Sequence, residues 1–328
     1  MRRGLVELLC SGLLCCALLG ASAVCAQSWP SRPVKIVVSV PTGTSPDIVG
    51  RLLAERLSKH YGQTFIVENV VGAGGLLATQ SAVRAAPDGY TLLFANLGTL
   101  VLDPHMYKNP GYDPDRDLVP VGVIYEQERL SLAVHPDVPA RTLPELIAYA
   151  KANPGKVNYG VTNVMLPIIV GQWINKLAGT DMAGVTYKTA GQQMQDVLAG
   201  RIHWVVAAPP TLDPFVKSGK IRVIAVDGHG RYAVWPDVQA INETFPGYRT
   251  SGMGILAAPR GIAPAVAKDL NGAMDQVAKD PEYQKRLLAM SFQVSGAGTP
   301  DSMAAFIRER RQYWSTIFRE LGIKPAEG

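Results

Sequence analysis

The sequence has 328 residues, of which 47% are hydrophobic and 18% are charged, and its 32 basic and 27 acidic side chains give a formal net charge of +5. This length predicts two domains of ordinary size, and the hydrophobic fraction is sufficient to build real cores. The charge is compatible with an anionic ligand, but it is too weak to indicate binding to nucleic acid.

The N-terminal segment over 1–26 has the composition of a secretory signal peptide. Two arginines precede a mostly apolar run over 5–19, and small residues fill 20–26. The apolar run is shorter than the roughly 20 residues that span a membrane. We predict cleavage after Ala26, or alternatively after Ala23, and therefore export to the periplasm. An uncleaved anchor, a twin-Arg signal and lipidation of Cys25 are the other interpretations.

All four cysteines lie within this leader, at positions 10, 15, 16 and 25. Cleavage after Ala26 would leave a chain without thiols, and therefore without disulfides, cysteine nucleophiles or Cys-ligated zinc. We expect the exported protein to be stabilised by its hydrophobic cores alone.

The first half of the exported chain alternates strands and helices. The β-branched, apolar run over 34–40 is typical of a strand buried on both faces. Ser45 as the N-cap and Pro46 at the first helical position predict a helix over 46–59. Further elements are predicted as strands over 65–69 and 90–95 and a helix from 72 to about 85. This β-α-β-α-β order predicts a doubly wound layer, followed by a loop over 104–117.

The middle of the chain predicts a second α/β unit. A capping box at Thr142 and Glu145 opens a helix that ends at Asn153. The other predicted elements are strands over 130–134, 157–161, 183–187, 203–207 and 221–226, with helices over 167–178 and 190–199. A strand over 252–258 and helices over 265–278 and 300–321 follow. Because no low-complexity linker separates the two units, we expect crossings inside packed structure, as in a hinged bilobal protein.

No sequence pattern of a known catalytic or metal site is present. The chain has no Gly-x-Ser-x-Gly, His-Glu-x-x-His or Gly-x-x-x-x-Gly-Lys motif. The histidines at 60, 105, 135, 203 and 229 lack metal-ligand spacing, although spacing does not exclude a site assembled from distant residues. We therefore predict a non-enzymatic protein without a cofactor or a metal ion.

The glycine-rich segment over 72–75 follows the second predicted strand, whereas a dinucleotide fingerprint follows the first. Its third glycine is also misplaced for that fingerprint. We interpret the segment as a tight turn with close helix packing, or alternatively as a wall that faces a ligand.

Short turns rich in Gly, Ser, Thr and Asn recur between strand ends and helix starts. They lie over 42–45, 96–99 and 162–163. A helix start offers free backbone N–H groups and about half a positive charge. Several such starts around one cleft would hold a carboxylate without a buried Arg or Lys. Capping of its own helix by Ser45 is the alternative, and it would leave the N–H groups of Gly43 and Thr44 free.

Motifs in a fixed order along nearly all of the exported chain resemble the Bug receptors, the extracytoplasmic receptors of tripartite tricarboxylate transporters. The most specific are Gly-Ala-Gly-Gly at 72–75 and Ala-Ala-Pro-Asp-Gly-Tyr-Thr-Leu-Leu at 85–93. The others lie at 29–38, 47–53, 67–69, 112–114, 135–136, 142–146, 158–160, 236–238 and 298–301.

The resemblance implies an α/β fold with doubly wound sheets, arranged as a two-lobed periplasmic binding protein of the type II, Venus-flytrap kind. Lobe one is predicted over 27–125 and 227–328, and lobe two over 126–226. The family binds small carboxylates, such as di- or tricarboxylates, aromatic acids and acidic amino acids. The implied partners are the membrane components of the transporter, and we expect a monomer.

The resemblance places the ligand-binding residues on turns after strands. Carried over by position, they are Thr42, Gly43, Thr44, Ser45, Asp47, Asn96, Gly98, Thr99, Thr162, Asn163, Ala208 and Pro209. The chain departs from the family where Thr44 replaces a glycine, and where the turn at 162–166 is less rich in Gly and Ser. The strand end at 207–210 also lacks a polar residue. These departures favour an aromatic or aliphatic acid over citrate. A receptor that presents its ligand to a sensor protein and an enzyme on the same scaffold are the competing functions.

Overall fold

A computed structural model describes residues 29–162, 165–228, 230–250 and 252–325. The predicted signal peptide, Asn163 and His229 lie outside the described residues. No helix in the described part of the chain is long and apolar enough to cross a membrane.

The first sheet has six strands in the order β11-β4-β10-β3-β1-β2. The strands β1, β2 and β3 are parallel, and β10 pairs antiparallel to both β3 and β4. The bounds are β1 Val34–Val38, β2 Phe65–Asn69, β3 Thr91–Asn96, β4 Leu118–Glu128, β10 Gly252–Pro259 and β11 Phe292–Gln293.

Helices cover the first sheet. They are α1 Ser45–Tyr61, α2 Leu76–Val83, α3 Asp103–Met106, α4 Pro114–Asp117, α10 Pro264–Ala278, α11 Pro281–Ala289 and α12 Pro300–Leu321. A 3₁₀ turn over Ala73–Gly75 precedes α2, and a π-helical turn over Gly98–Leu102 follows β3. The side chain of Thr299 caps α12, and Gly322 ends it in the left-handed conformation.

The second sheet has five strands in the order β7-β6-β8-β5-β9. Its elements are β5 Ser131–Val134, α5 Leu143–Ala152, β6 Asn158–Thr162, α6 Met165–Ala178, β7 Ala183–Tyr187, α7 Ala190–Leu198, β8 Trp204–Ala207, α8 Pro209–Lys217 and β9 Arg222–Val226. The short helix α9, Ile241–Thr244, lies on the return path to β10. The strands β7, β6 and β8 are parallel, and β5 is antiparallel to β8 and β9.

The two sheets form a two-lobed molecule. The chain crosses between them twice, once between β4 and β5 and once between β9 and β10. The C-terminal helix α12 also packs on α6, and Trp314 and Ile169 share one hydrophobic core. The lobe boundaries at 125/126 and 226/227 stay a prediction; β4 continues in the first sheet to Glu128.

Several predicted elements differ from the structure. The predicted loop over 104–117 is wrong, because α3 and α4 occupy part of it, and Asp113 caps α4 by accepting from the N–H groups of Asp115 and Arg116. The elements that were not predicted include β4, α8, α9, α11 and β11. Proline and charged residues interrupt β4, and its pairing is set by β10, which lies far away in the sequence.

Candidate functional site

Parallel pairing brings the predicted turns together within each lobe. In the first sheet Val38 pairs with Phe94, so the turn after β1 and the turn after β3 leave the same edge. In the second sheet Tyr159 pairs with Trp204, so Thr162, the last residue of β6, and Ala208, which follows β8, lie at one edge. Ligands bind outside the carboxyl ends of such strands.

In each lobe, antiparallel pairing places the sheet edge that carries these turns next to a crossing between the lobes. On β10, Gly254 pairs with Asn96 at the end of β3, and Gly252 pairs with Glu128, where β4 leaves the sheet. In the second lobe Ser131, at the start of β5, pairs with Ala207 at the end of β8. The two sets of turns therefore border the region between the lobes.

Asp47 organises the turn after β1. Its carboxylate, in a residue that is 1% exposed, accepts hydrogen bonds from the Gly43 N–H at 2.8 Å, from Arg51 Nε at 3.1 Å and from Asn69 Nδ2 at 2.8 Å. Burial alone would raise the pKa of Asp47, but the hydrogen bonds from Arg51, Gly43 and Asn69 outweigh it and hold the pKa below its ordinary value. Asp47 therefore stabilises the turn from its buried side.

This network corrects two expectations about the first turn. The N–H groups of Gly43 and Thr44 are not free, because Gly43 donates to Asp47 at 2.8 Å and Thr44 donates to Pro41 O at 3.4 Å. Ser45 is the first helical residue, whereas Thr44 occupies the N-cap position without a side-chain cap and donates its hydroxyl to Pro41 O. Pro46 has no N–H, so the donors without a partner among the described residues at this helix start are the N–H groups of Ser45 and Asp47.

The turn after β3 is held by side-chain hydrogen bonds. Asn96 Nδ2 donates to Ser39 Oγ at 3.2 Å, and Asn96 Oδ1 accepts from the Thr99 N–H at 3.1 Å. Thr99 is buried, and its carbonyl accepts from the Tyr112 hydroxyl at 2.9 Å. A Cβ atom on Gly98 would lie 3.0 Å from Asn96 Oδ1, so glycine permits the tight turn. Asn96 and Gly98 thus line this turn, and Thr99 anchors it.

The glycine-rich segment after β2 forms a tight turn beside these two. Gly72, Gly74 and Gly75 all have positive φ, which glycine adopts without strain. A Cβ atom on Gly75 would lie 3.2 Å from the Cβ atom of Ser39, so the turn packs closely on the end of β1. These contacts agree with the interpretation as a close-packed turn.

At the lobe-two strand ends, several of the described residues are apolar. The helix α6 begins at Met165, and Leu166 is 9% exposed. Ala208 is the N-cap of α8 and has no side chain that could cap it, and Pro209 begins the helix. Asn163 lies outside the described residues.

No group of three or more His, Cys, Asp or Glu side chains within residues 29–162, 165–228, 230–250 and 252–325 is placed to hold a metal ion.

Two α/β lobes joined by two crossings, with strand-end turns facing the region between them, define a solute-binding protein of the bilobal class. The family model described as "Tripartite tricarboxylate transporter family receptor" matches residues 49–323. The chain belongs to this family, TctC, whose members are periplasmic solute receptors, and the resemblance seen in the sequence is confirmed.

Related sequences cover nearly the whole chain. A UPF0065 protein of Bordetella bronchiseptica is 36% identical over 332 residues, with 98% of this chain and 96% of that protein covered. The protein BugT of Bordetella pertussis is 29% identical, with 93% and 94% covered.

Solved structures share the two-lobed fold. "R. palustris Rpa4515 with adipate" superposes with a TM-score of 0.79 at 28% identity, covering 91% of this chain and all of that one. "MatC (Rpa3494) from Rhodopseudomonas palustris with bound malate" gives a TM-score of 0.73 at 26% identity, covering 88% and 99%. The predicted fold class is confirmed.

Proposed function

We propose that this protein captures a small carboxylate in the periplasm and delivers it to the membrane components of a tripartite tricarboxylate transporter, without catalysing a reaction. The observation that carries the proposal is the start of α1, where the Ser45 and Asp47 N–H groups face no acceptor among the described residues. An anion there would interact with the positive end of a 17-residue helix. Adipate and malate in two similar structures support this ligand class.

The arrangement supports binding rather than chemistry. The polar side chains nearest to the strand ends are engaged in holding the turns: Asp47 by Gly43 and Asn69, and Asn96 by Ser39 and Thr99. A general base needs a proton acceptor that can reach the ligand. The side-chain oxygen atoms of Asp47 and Asn96 already accept hydrogen bonds from the protein. They therefore serve to keep the turns rigid around a ligand that is later released.

The proposal is tested by removing one N–H group. The variant Ser45→Pro deletes both the N–H and the hydroxyl of Ser45 at the first helical position, where proline is well tolerated. Thr44, with φ −74° and ψ 157°, already has the backbone conformation that a following proline requires. The variant Ser45→Ala, which deletes only the hydroxyl, is the matched control.

We expect Ser45→Pro to weaken carboxylate binding about 10- to 100-fold, because a hydrogen bond to a charged group contributes about 1.5–3 kcal/mol. The carboxylate affinity of Ser45→Ala should fall by less than that of Ser45→Pro. Isothermal titration calorimetry with a panel of mono-, di- and tricarboxylates measures both variants. Equal affinity of Ser45→Pro and the unmodified protein for every acid that binds would contradict the proposed site.

Delivery to a transporter needs a separate test. Deletion of the gene should abolish uptake of the radiolabelled acid that binds in calorimetry, and the restored gene should recover uptake. A strain that keeps uptake but loses transcriptional induction by that acid would instead indicate a receptor that signals to a sensor protein.

A further inference from the structure

A cavity of about 320 Å³ lies on the outer side of β9, an edge strand of the second sheet. Within the described chain, this side of β9 is paired only at Val226, through a bridge to Ala240. The segment before Ala240 does not continue the pairing, because it folds into turns. The Trp235 N–H donates to Tyr232 O at 2.9 Å, and the Val238 N–H donates to Trp235 O at 3.1 Å. The cavity therefore lies between this segment and β9.

This cavity is separate from the predicted cleft. Val226, the last residue of β9, leads into the second crossing, whereas Arg222, which lines the cavity, is the first residue of the strand. At about 3.3 Å per residue, the two ends of β9 lie roughly 13 Å apart. None of the described residues that line the cavity belongs to the strand-end turns of the candidate functional site. A ligand in this cavity would therefore not compete directly for those turns.

The walls of the cavity are mostly apolar. Val216, Trp235 and Val238 line it, and each is partly buried because it also packs on a hydrophobic core of lobe two. The ring of Trp235 lies edge-on to that of Tyr232, with the ring centroids 5.9 Å apart. Val234, the preceding residue, is 48% exposed. Exposed apolar side chains around a concave surface are typical of a binding site. The volume is at the low end of the range of about 300–1,000 Å³ for small-molecule sites, which suits one ring or a short chain.

Arg222 is the one charged side chain among the described residues that line the cavity. Its Nη1 donates to Ala140 O at 3.0 Å, and its other N–H groups have no acceptor within the described part of the chain. Asp137 and Asp237 adjoin lining residues in the sequence, but neither lines the cavity. A guanidinium without a carboxylate partner, beside apolar walls, attracts an anion and matches the planar geometry of a carboxylate.

We propose that this cavity is a second binding site, which takes a small amphipathic acid. Its carboxylate would be held by Arg222, and its ring or short hydrocarbon chain would pack against Val216, Trp235 and Val238. The proposal goes beyond the proposed function and does not depend on it, because no strand-end turn contributes to the cavity. A ligand here would join β9 of lobe two to the segment that returns to lobe one.

The test observes Trp235 directly. The chain has five tryptophans, so the exported protein labelled with 5-fluorotryptophan should give a distinct ¹⁹F NMR signal for each, and Trp235→Phe assigns the signal of Trp235. We expect benzoate to shift this signal in a saturable way. Acetate lacks the hydrocarbon body and benzamide lacks the charge, so each should bind at least about tenfold more weakly. An unchanged Trp235 signal at about 10 mM benzoate would overturn the proposal.

Substitution of Arg222 tests the role of its charge. Arg222→Met removes the guanidinium group and keeps a hydrocarbon stem, and we expect it to weaken benzoate binding at Trp235 about 10- to 100-fold. Lys220→Met, at an exposed residue that does not line the cavity, is the matched control and should change the affinity by less than about twofold. Equal benzoate affinity in the two variants would contradict the role given to Arg222.

Two further variants locate the bound benzoate. Val216→Phe leaves Arg222 in place but fills part of the cavity, so it should abolish the benzoate-dependent shift of the Trp235 signal even if Arg222→Met does not fold. Ser45→Pro alters the predicted cleft and should leave the shift intact. A shift that survives in Val216→Phe, or one that is lost in Ser45→Pro, would place the benzoate elsewhere and would overturn the proposal, whereas the proposed function would stand.

Discussion

Arg129 in the first crossing donates from Nη1 to the carbonyl oxygen of Asp227 in the second crossing, at 3.0 Å. The same nitrogen donates to Gly230 O at 2.7 Å, and Nη2 donates to Gln293 Oε1 of β11 at 3.1 Å. Arg129 is 4% exposed, so these bonds form without competition from water. The guanidinium group of Arg129 therefore links the first crossing to the second crossing and to β11 of lobe one.

The first prediction concerns these hydrogen bonds of Arg129. Arg129→Lys keeps the charge but cannot reproduce the planar fork, so at least one buried carbonyl loses its donor. We expect the free energy of unfolding to fall by about 2–4 kcal/mol. Urea denaturation measures this decrease in the free energy of unfolding. Arg32→Lys, at an exposed ion pair with Asp88, is the control and should change stability by less than about 0.5 kcal/mol. Similar losses in the two variants would show that Arg129 has no special structural role.

The second prediction concerns the carboxyl group of Asp227, which is fully buried beside these bonds. Burial raises the pKa of Asp227 to about 7, although hydrogen bonds from Thr250 and Gly228 and the nearby Arg129 and Arg310 act to lower it. Two tyrosines, Tyr248 and Tyr313, also lie near this carboxyl.

A raised folded-state pKa means that the folded protein binds more protons than the unfolded chain between about pH 4 and 7. The contribution of Asp227 to stability is therefore lost as the pH rises through this range, with a slope of up to about 1.4 kcal/mol per pH unit. Denaturation of the unmodified protein and of Asp227→Asn at several values between about pH 5 and pH 8 measures the difference. The two proteins should have different slopes; parallel curves would rule out titration of Asp227 in this window.

The third prediction concerns Asp47, whose pKa is lowered in the folded state. The stabilisation from Asp47 is present above about pH 4, the ordinary pKa of an aspartate, and is lost as the pH falls through the folded-state pKa. Asp47→Ala leaves the donors of Gly43, Asn69 and Arg51 without this acceptor. We expect a loss of about 1–3 kcal/mol at about pH 7 together with weaker carboxylate binding, because the turn before α1 loses its support.

The matched control for this variant is Asp137→Ala, at a carboxylate whose side chain is 92% exposed. It should leave both stability and affinity unchanged. If Asp47→Ala lost stability but bound acids as tightly as before, the turn after β1 would not form the binding site.

The strands and helices that local patterns define were predictable from the sequence. Phe65–Asn69, Ala183–Tyr187 and Pro300–Leu321 have the predicted bounds, because period-two or helical patterning and clear turn residues mark them. The strand β4 was not predictable, since its register depends on β10, which follows more than one hundred residues later.

The candidate site was predictable as a set of turns but not as a set of contacts. Asp47 was predicted to bind the ligand, yet its hydrogen bond to Asn69 spans 22 positions and depends on the parallel pairing of β1 with β2. The role of Arg129 was missed entirely, because its acceptors lie 98 to 164 positions away. Local spacing carries no information about partners that only the fold brings together.

The last prediction uses two helical glycines with opposite surroundings. A Cβ atom on Gly171 of α6 would lie 2.2 Å from the ring of Tyr159, which stacks on Trp204 with the ring centroids 4.5 Å apart. Both rings are buried, so neither has room to move. We expect Gly171→Ala to reduce the free energy of unfolding by about 1–3 kcal/mol.

Gly272 of α10 is exposed, and a Cβ atom there would meet nothing within 4 Å. Because alanine is the better helix former, Gly272→Ala should instead stabilise the protein by about 0.5–1 kcal/mol. Urea denaturation of the two variants side by side measures both effects with the same chemical change. A shift of the same sign in both would mean that backbone propensity, rather than the packing of α6 on Tyr159, controls the outcome at Gly171.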